Sequence, residues 1–152
     1  MKSLQEQYAP NCACFGCGPA NPQGPEIRSF ARGDELVATW QPQKMHEAFP
    51  GCLNGGITGA LLDCHSNWAA CYHFMQARGL DVPACTVTAD YAVKLRRPIP
   101  TDGPVELVAR VVEVEGNKAL VEAELTAGGK VCATCRGTFV QVSEGHPAYH
   151  RW

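Results

Sequence analysis

In the stretch HEAFPGCLNGGITGALLDC, residues 46–64, Asn54-Gly55-Gly56 stands directly before an apolar helical pattern, and a lone acid, Asp63, falls inside it. A carboxylate partly withdrawn from water can act as a general base or a nucleophile. The first N–H groups of a helix have no intrahelical partner, and glycine lets a carbonyl approach them, so Gly55 and Gly56 could hold a developing oxyanion. Each feature also has a plainer reading. Asp63 could be a solvated surface acid, the usual fate of a helical aspartate, and Asn54 with its glycines could be a helix cap after a tight turn. Asp63 lies too far past the cap for the helix dipole to account for it, and no broad charged face surrounds it.

A second group of polar residues lies in TVTADYAVKLRRP, residues 86–98. The alternation predicts a strand with Val87, Ala89, Tyr91, Val93 and Leu95 on a core face, and Thr88, Asp90, Lys94 and Arg96 on a polar one. Lys94, Arg96 and Arg97 could be ordinary solubilising charges at a strand end. They could also form a cationic cluster suited to phosphates, at the far end of the face that begins with the Thr88 hydroxyl.

Other constellations are weaker. Cys12, Cys14 and Cys17 in CACFGCG are close enough to share a metal but offer three ligands with no fourth Cys or His nearby in sequence, so no metal is expected. Cys132 and Cys135 form a CxxC inside an alternating strand pattern, where three steps of about 3.3 Å direct the thiols to opposite faces. His46, His65, His73, His146 and His150 have neither metal-ligand spacing nor a serine partner in an elbow motif. No glycine-rich phosphate loop is present, and no cofactor is expected.

These residues need elements to position them. Ile57, Leu61, Cys64, Trp68, Cys71 and Met75 recur at steps of four and three, which predicts a helix of about five turns with Asn54 as its cap and Gly79 as its stop. Asp63 falls about 120° from that stripe on the wheel, on the same flank as Asn67, with Gly59, Ala70 and Phe74 nearby. Before the helix, EIRSFAR and ELVATW alternate around Gly33-Asp34 as a hairpin. After it come four alternating segments, Thr86 to Arg97, Val105 to Glu115, Lys118 to Ala127 and Lys130 to Val142, joined by PIPTDG, GN and GG turns without a crossover helix. The expected fold is α+β, an antiparallel sheet wrapped around one long helix, and an uncovered apolar flank would favour a dimer. Residues 1–25, rich in Cys, Pro and Gly, read as an irregular leader packed on a single domain spanning 26–152.

At 152 residues, with 45% hydrophobic and 18% charged content, one core suffices. A formal charge of −2 gives no basic field for nucleic acid. No stretch reaches the roughly 18 apolar residues of a membrane span or reads as a signal peptide, so a cytoplasmic protein with reduced thiols is expected.

HEAFPGCLNGGITGALLD, TVTADYAVKLRRPIP, VEVEGNKALVEAEL and ATCRGTFVQV together resemble the hotdog-fold acyl-CoA thioesterases of the phenylacetate-degradation and thioesterase-superfamily-member type, over roughly residues 26–142. The leader CFGCGPANPQG is similar to one in some relatives. The resemblance implies a hotdog fold, a homodimer or dimer of dimers, and hydrolysis of an acyl-CoA. By the same resemblance Asp63 activates water or attacks the thioester, the Gly55 N–H, supported by Gly56, polarises its carbonyl, and Thr88 assists the acid. Lys94, Arg96 and Arg97 take the CoA phosphates, and Asn67 and Trp68 line the acyl pocket. Asn54 replaces the family's histidine before Gly-Gly, and Ala48 stands where some relatives place an asparagine. Two other expectations remain open: a hydratase or dehydratase using His46 and Asp63, and a non-catalytic acyl-CoA-binding module.

Overall fold

A computed structural model describes residues 1–149; His150 and the end of the expected 26–152 domain lie outside the described residues. The chain forms α1 (Leu4–Tyr8), β1 (Phe30–Arg32), β2 (Glu35–Trp40), a 3-10 turn (Lys44–His46), β3 (Glu47–Phe49), β4 (Cys52–Leu53), α2 (Gly55–Arg78), β5 (Thr86–Leu95), β6 (Val105–Glu115), β7 (Lys118–Ala127) and β8 (Lys130–Gln141). Six strands make one antiparallel sheet in the order β1-β2-β6-β7-β8-β5, and β3 and β4 form a separate small hairpin. The expected wrapped α+β sheet is present: α2 touches β2, β5, β6, β7 and β8.

Alternation in the sheet explains how α2 can lie so close. Ala119, Val121, Ala123, Leu125 and Ala127 of β7 are buried, as are Ala133, Cys135 and Phe139 of β8, while Glu122 and Glu124 face outward. Alanines under the helix axis leave room for Leu61, Leu62, Trp68 and Phe74 to interdigitate with the larger side chains. Full burial of a residue such as Phe139 or Leu125 contributes about 2 to 3 kcal/mol.

The helix begins and ends where its sequence dictates. The Asn54 side-chain oxygen accepts the N–H groups of Gly56 at 2.8 Å and Ile57 at 3.1 Å. Gly79 closes the other end in the left-handed region at φ 61°, which glycine adopts without a Cβ clash. The expected stripe is only part of its buried surface. Leu61, Trp68, Cys71 and Met75 are buried, but Ile57 and Cys64 are half-buried, and Leu62, His65, Ser66 and Ala69 are buried as well.

Part of that wider burial comes from Ser29 and β2, which meet His65, and the leader covers α2 at Cys64 and Trp68. Leu4, Ala9, Cys12, Cys17 and Ile27 join the same core, and the Trp40 indole donates to the Pro25 carbonyl at 2.7 Å. The leader also differs from its expected irregularity in forming α1, nucleated by a capping box in which Ser3 accepts the Glu6 N–H and the Glu6 carboxylate accepts the Ser3 N–H. Polar contacts then run inward. Gln5 Nε2 donates to Ser29 Oγ at 3.0 Å, and Ser29 Oγ lies 2.8 Å from His65 Nδ1. His65 Nε2 lies 3.0 Å from the Leu36 carbonyl, which can only accept, so the proton is on Nε2 and Nδ1 accepts from Ser29. Burial pushes the His65 pKa down to about 4, which keeps the ring neutral.

Candidate active site

β5 is the edge strand on which the site depends, and its alternation is interrupted. Its pairing with β8 runs Thr86↔Gln141, Val87↔Val140 and Thr88↔Phe139, then resumes at Asp90↔Thr138, leaving Ala89 as an extra residue. A one-residue bulge inverts every side chain beyond it. Thr86 and Thr88 therefore share the helix-facing side of the sheet with Tyr91, Val93 and Leu95, while Asp90, Ala92 and Lys94 face away. This corrects the uninterrupted alternation, which sent Thr88 and Lys94 to the same face. The expected core face is corrected too: at the sheet edge Ala89, Tyr91 and Leu95 are exposed, and Val87 and Val93 only half-buried.

The bulge brings two threonines against two helix residues. Thr88 Oγ1 donates to Asp63 Oδ1 at 2.7 Å, and Thr86 Oγ1 donates to Asn67 Oδ1 at 2.7 Å. Four helical residues span about 6.0 Å and two strand residues about 6.6 Å, so the two contacts are commensurate. Thr86 was not singled out from the sequence; its two-residue spacing from Thr88, set against the four-residue spacing of Asp63 and Asn67, was the available signal. Asp63 is half-buried, and its charge adds to burial in pushing the Cys135 thiol up to about 11. Asp63, Asn67, Trp68, Thr86 and Thr88 line one depression of about 310 Å³, bordered by leader cysteines. Trp68 is itself core, 2% exposed, and its indole donates to Cys17 Sγ at 3.4 Å.

The helix start lines a different groove. Gly55 faces it beside Phe49, Leu95, Arg96 and Arg97. The Gly56 N–H is held by Asn54, so it does not point at a ligand; the Gly55 N–H has no hydrogen-bond partner among the described residues. Asn54 is engaged as a cap, and its own N–H donates to the His46 carbonyl at 2.9 Å. Eight residues separate Gly55 from Asp63, about 12 Å along the helix axis. One chain therefore does not bring the glycine and the acid together.

The basic residues divide as well. Arg97 lines the groove beside Gly55, whereas Lys94 lies in an outward-facing depression with Glu122, Glu124 and Arg136, where Arg136 pairs with Glu122; Arg96 borders both, its Nε donating to Thr134 Oγ1 at 3.1 Å. His46 does not line the Asp63 depression: its ring packs tilted at 49° against Trp40, 4.8 Å between centroids, and Nδ1 accepts the Gln43 N–H. Burial lowers its pKa below the usual histidine value.

A family model described as "Thioesterase superfamily" matches residues 51–134. None of the curated proteins matches the chain. Among solved structures, a thioesterase superfamily protein from Shewanella loihica PV-4 is 29% identical with a TM-score of 0.64, over 82% of this chain and 98% of that one. Another thioesterase superfamily protein is 23% identical at a TM-score of 0.71; the match covers 85% of this chain but only 60% of the other. The PaaI protein of the phenylacetic acid degradation operon of E. coli is alike in fold, with a TM-score of 0.67 and 15% identity over 78% of this chain and 81% of that one. Among the described residues no helix is long and apolar enough to cross a membrane.

Proposed function

Because this chain belongs to the thioesterase superfamily and has the hotdog arrangement of sheet and helix, we propose that it hydrolyses acyl-CoA thioesters to the free acid and CoA. The observation that carries this reading is the Thr88 hydroxyl donating to the Asp63 carboxylate at the wall of a depression. Such a bond fixes the rotamer of the acid, and a carboxylate held beside a depression can act as the base toward water.

In the proposed reaction Asp63 removes a proton from water as the oxygen attacks the thioester carbonyl. The carbonyl oxygen becomes an oxyanion held by the Gly55 N–H. Collapse of this intermediate breaks the carbon–sulfur bond, and the Asp63 carboxyl returns its proton to the departing CoA thiolate. Direct attack by Asp63, forming an anhydride that water then opens, uses the same residues.

The separation of about 12 Å between Gly55 and Asp63 within one chain supports a site completed between two protomers, in a homodimer or a dimer of dimers. Exposed Phe49, Tyr91 and Leu95 supply apolar surface for such a contact. Arg96 and Arg97 beside Gly55 suit the CoA phosphates, with Lys94 reaching them from the outer face; Asn67 and Trp68 border the acyl group. A cytoplasmic location accords with an acyl-CoA substrate.

The test is release of free CoA over a panel of short-chain, medium-chain and aryl-CoA esters, with the protein's own thiols subtracted. Turnover of at least one ester that is abolished in Asp63→Ala is expected. No turnover on any ester, or full turnover by Asp63→Ala, sinks the assignment; tight CoA binding without turnover would identify a binding module instead.

A further inference from the structure

We infer that Cys14, Cys17 and Cys64 form a three-thiolate site for one zinc ion, pinning the leader to α2 at the residue next to Asp63. Their Sγ atoms all lie within 4.8 Å of one another, and Cys14 and Cys64 are 3.7 Å apart. Zinc–sulfur bonds of about 2.3 Å in a tetrahedron place sulfurs about 3.8 Å apart, whereas a disulfide needs about 2.05 Å. The Cys14–Cys64 spacing of 3.7 Å matches that of two ligands on one ion, and with all three sulfurs within 4.8 Å of one another the rest close on it by a shift of about 1 Å. The cluster was hidden from the sequence because its third member is supplied by a helix 47 residues beyond Cys17, while the nearer Cys12 is left out of it.

The loop carrying the first two thiols is shaped for this purpose. In Cys14-Phe15-Gly16-Cys17-Gly18, a Cβ on Gly16 would come within 2.4 Å of Cys64 Sγ, and one on Gly18 within 2.5 Å of the Cys14 nitrogen. Both glycines let the loop fold tightly enough for the sulfurs to converge. A donor already reaches the cluster: Trp68 Nε1 donates to Cys17 Sγ at 3.4 Å. Donors of this kind orient metal-bound thiolates.

Three soft ligands favour zinc over magnesium or calcium. The described residues provide no fourth ligand to the group, and Cys14, Cys17 and Cys64 line the same depression as Asp63 and Thr88. Water or a substrate atom completes the tetrahedron from that depression, and each coordinated thiol releases its proton to solvent.

The experiment uses the reduced, metal-free full chain titrated with Co²⁺ as a spectroscopic stand-in, followed by Zn²⁺. One cobalt per chain is expected, with thiolate-to-cobalt charge-transfer bands, intense tetrahedral ligand-field bands, displacement by zinc, and a zinc-dependent rise in unfolding temperature. Cys14→Ser removes an exposed side chain and so leaves the fold intact; it and Cys64→Ser should each weaken binding by more than ~100-fold, beyond the usual loss for an outer-shell partner. Cys12→Ser should leave affinity unchanged within about threefold. The inference is overturned by absence of a tetrahedral cobalt spectrum in the reduced protein, by unchanged binding in both Cys14→Ser and Cys64→Ser, or by a Cys14–Cys64 disulfide in natively isolated protein, shown by a mass two hydrogens lighter. None of these readouts depends on thioester turnover.

Discussion

Thr88 Oγ1 lies 2.7 Å from Asp63 Oδ1 as the donor of its only hydroxyl proton. The bond aims the carboxylate along the wall of the depression. Asp63→Asn, which keeps an acceptor for Thr88, should fold normally and lower kcat by about 10² to 10⁴, the range for loss of a general base. Thr88→Val should lower kcat about tenfold with little change in KM, the signature of lost alignment in the transition state. Equal turnover in Asp63→Asn and the parent would remove the acid from the mechanism.

Completion of the site between protomers can be checked by mixing inactive chains. Asp63→Asn and Gly55→Val, refolded together in equal amounts, should form heterodimers in which one of the two sites has both native halves. Random pairing then restores roughly a quarter of parental activity. Activity no greater than the sum of the separate variants would mean that each chain carries a whole site.

The bulge at Ala89 leads to a sharper expectation than any point substitution on β5. Deleting Ala89 would give β5 an unbroken ladder with β8 while moving one of its halves to the opposite face. If Tyr91, Val93 and Leu95 hold their positions, Thr86 and Thr88 leave Asn67 and Asp63. CoA release should fall at least as far as in Thr88→Val, and the melting temperature should drop as the polar rungs are lost. Retained activity would mean that Thr88 is not needed beside Asp63.

Acid should weaken this fold through its buried histidines. The folded pKa of His65, about 4, lies below its ordinary value of 6.5, and that of His46 is also lowered by burial. In each case the unfolded chain binds the proton more readily, so the stabilising contribution is complete above the unfolded pKa and is lost as pH falls toward the folded one. For His65 this amounts to about 3 kcal/mol over the interval from pH 6.5 to 4. Melting temperature measured across that interval should decline, and less steeply in His65→Phe. Parallel curves for parent and variant would remove His65 as the cause.

Much of the architecture was legible because its signals are local. Asn54 and Gly79 bound α2, and the turns at Gly116-Asn117 and Gly128-Gly129 bound β7 within a residue of each end. The α1 capping box, Ser3 to Glu6, is equally local, but the five-residue helix after it is too short to carry a periodic signal. The site was legible in its residue types but not in its geometry. Ala89 carries no mark of a bulge, since no glycine is needed there, so Thr88 was set on the wrong face relative to Tyr91 and Leu95. The grouping of Cys64 with Cys14 and Cys17 depends on where the leader crosses α2, which no periodicity encodes. The division of Lys94 from Arg97 follows from the same edge geometry.

The Gln5–Ser29–His65 chain has a practical consequence for anyone shortening this protein. An expression fragment started near Glu26, where the regular strands begin, would keep the imidazole but discard Gln5 and the apolar wall formed by Leu4, Ala9, Cys12 and Cys17. Water would enter beside α2 at Cys64 and Trp68, which the leader covers. The first quarter-century of residues thus acts as the lid of the helix's container, and a minimal fragment of this chain must include it.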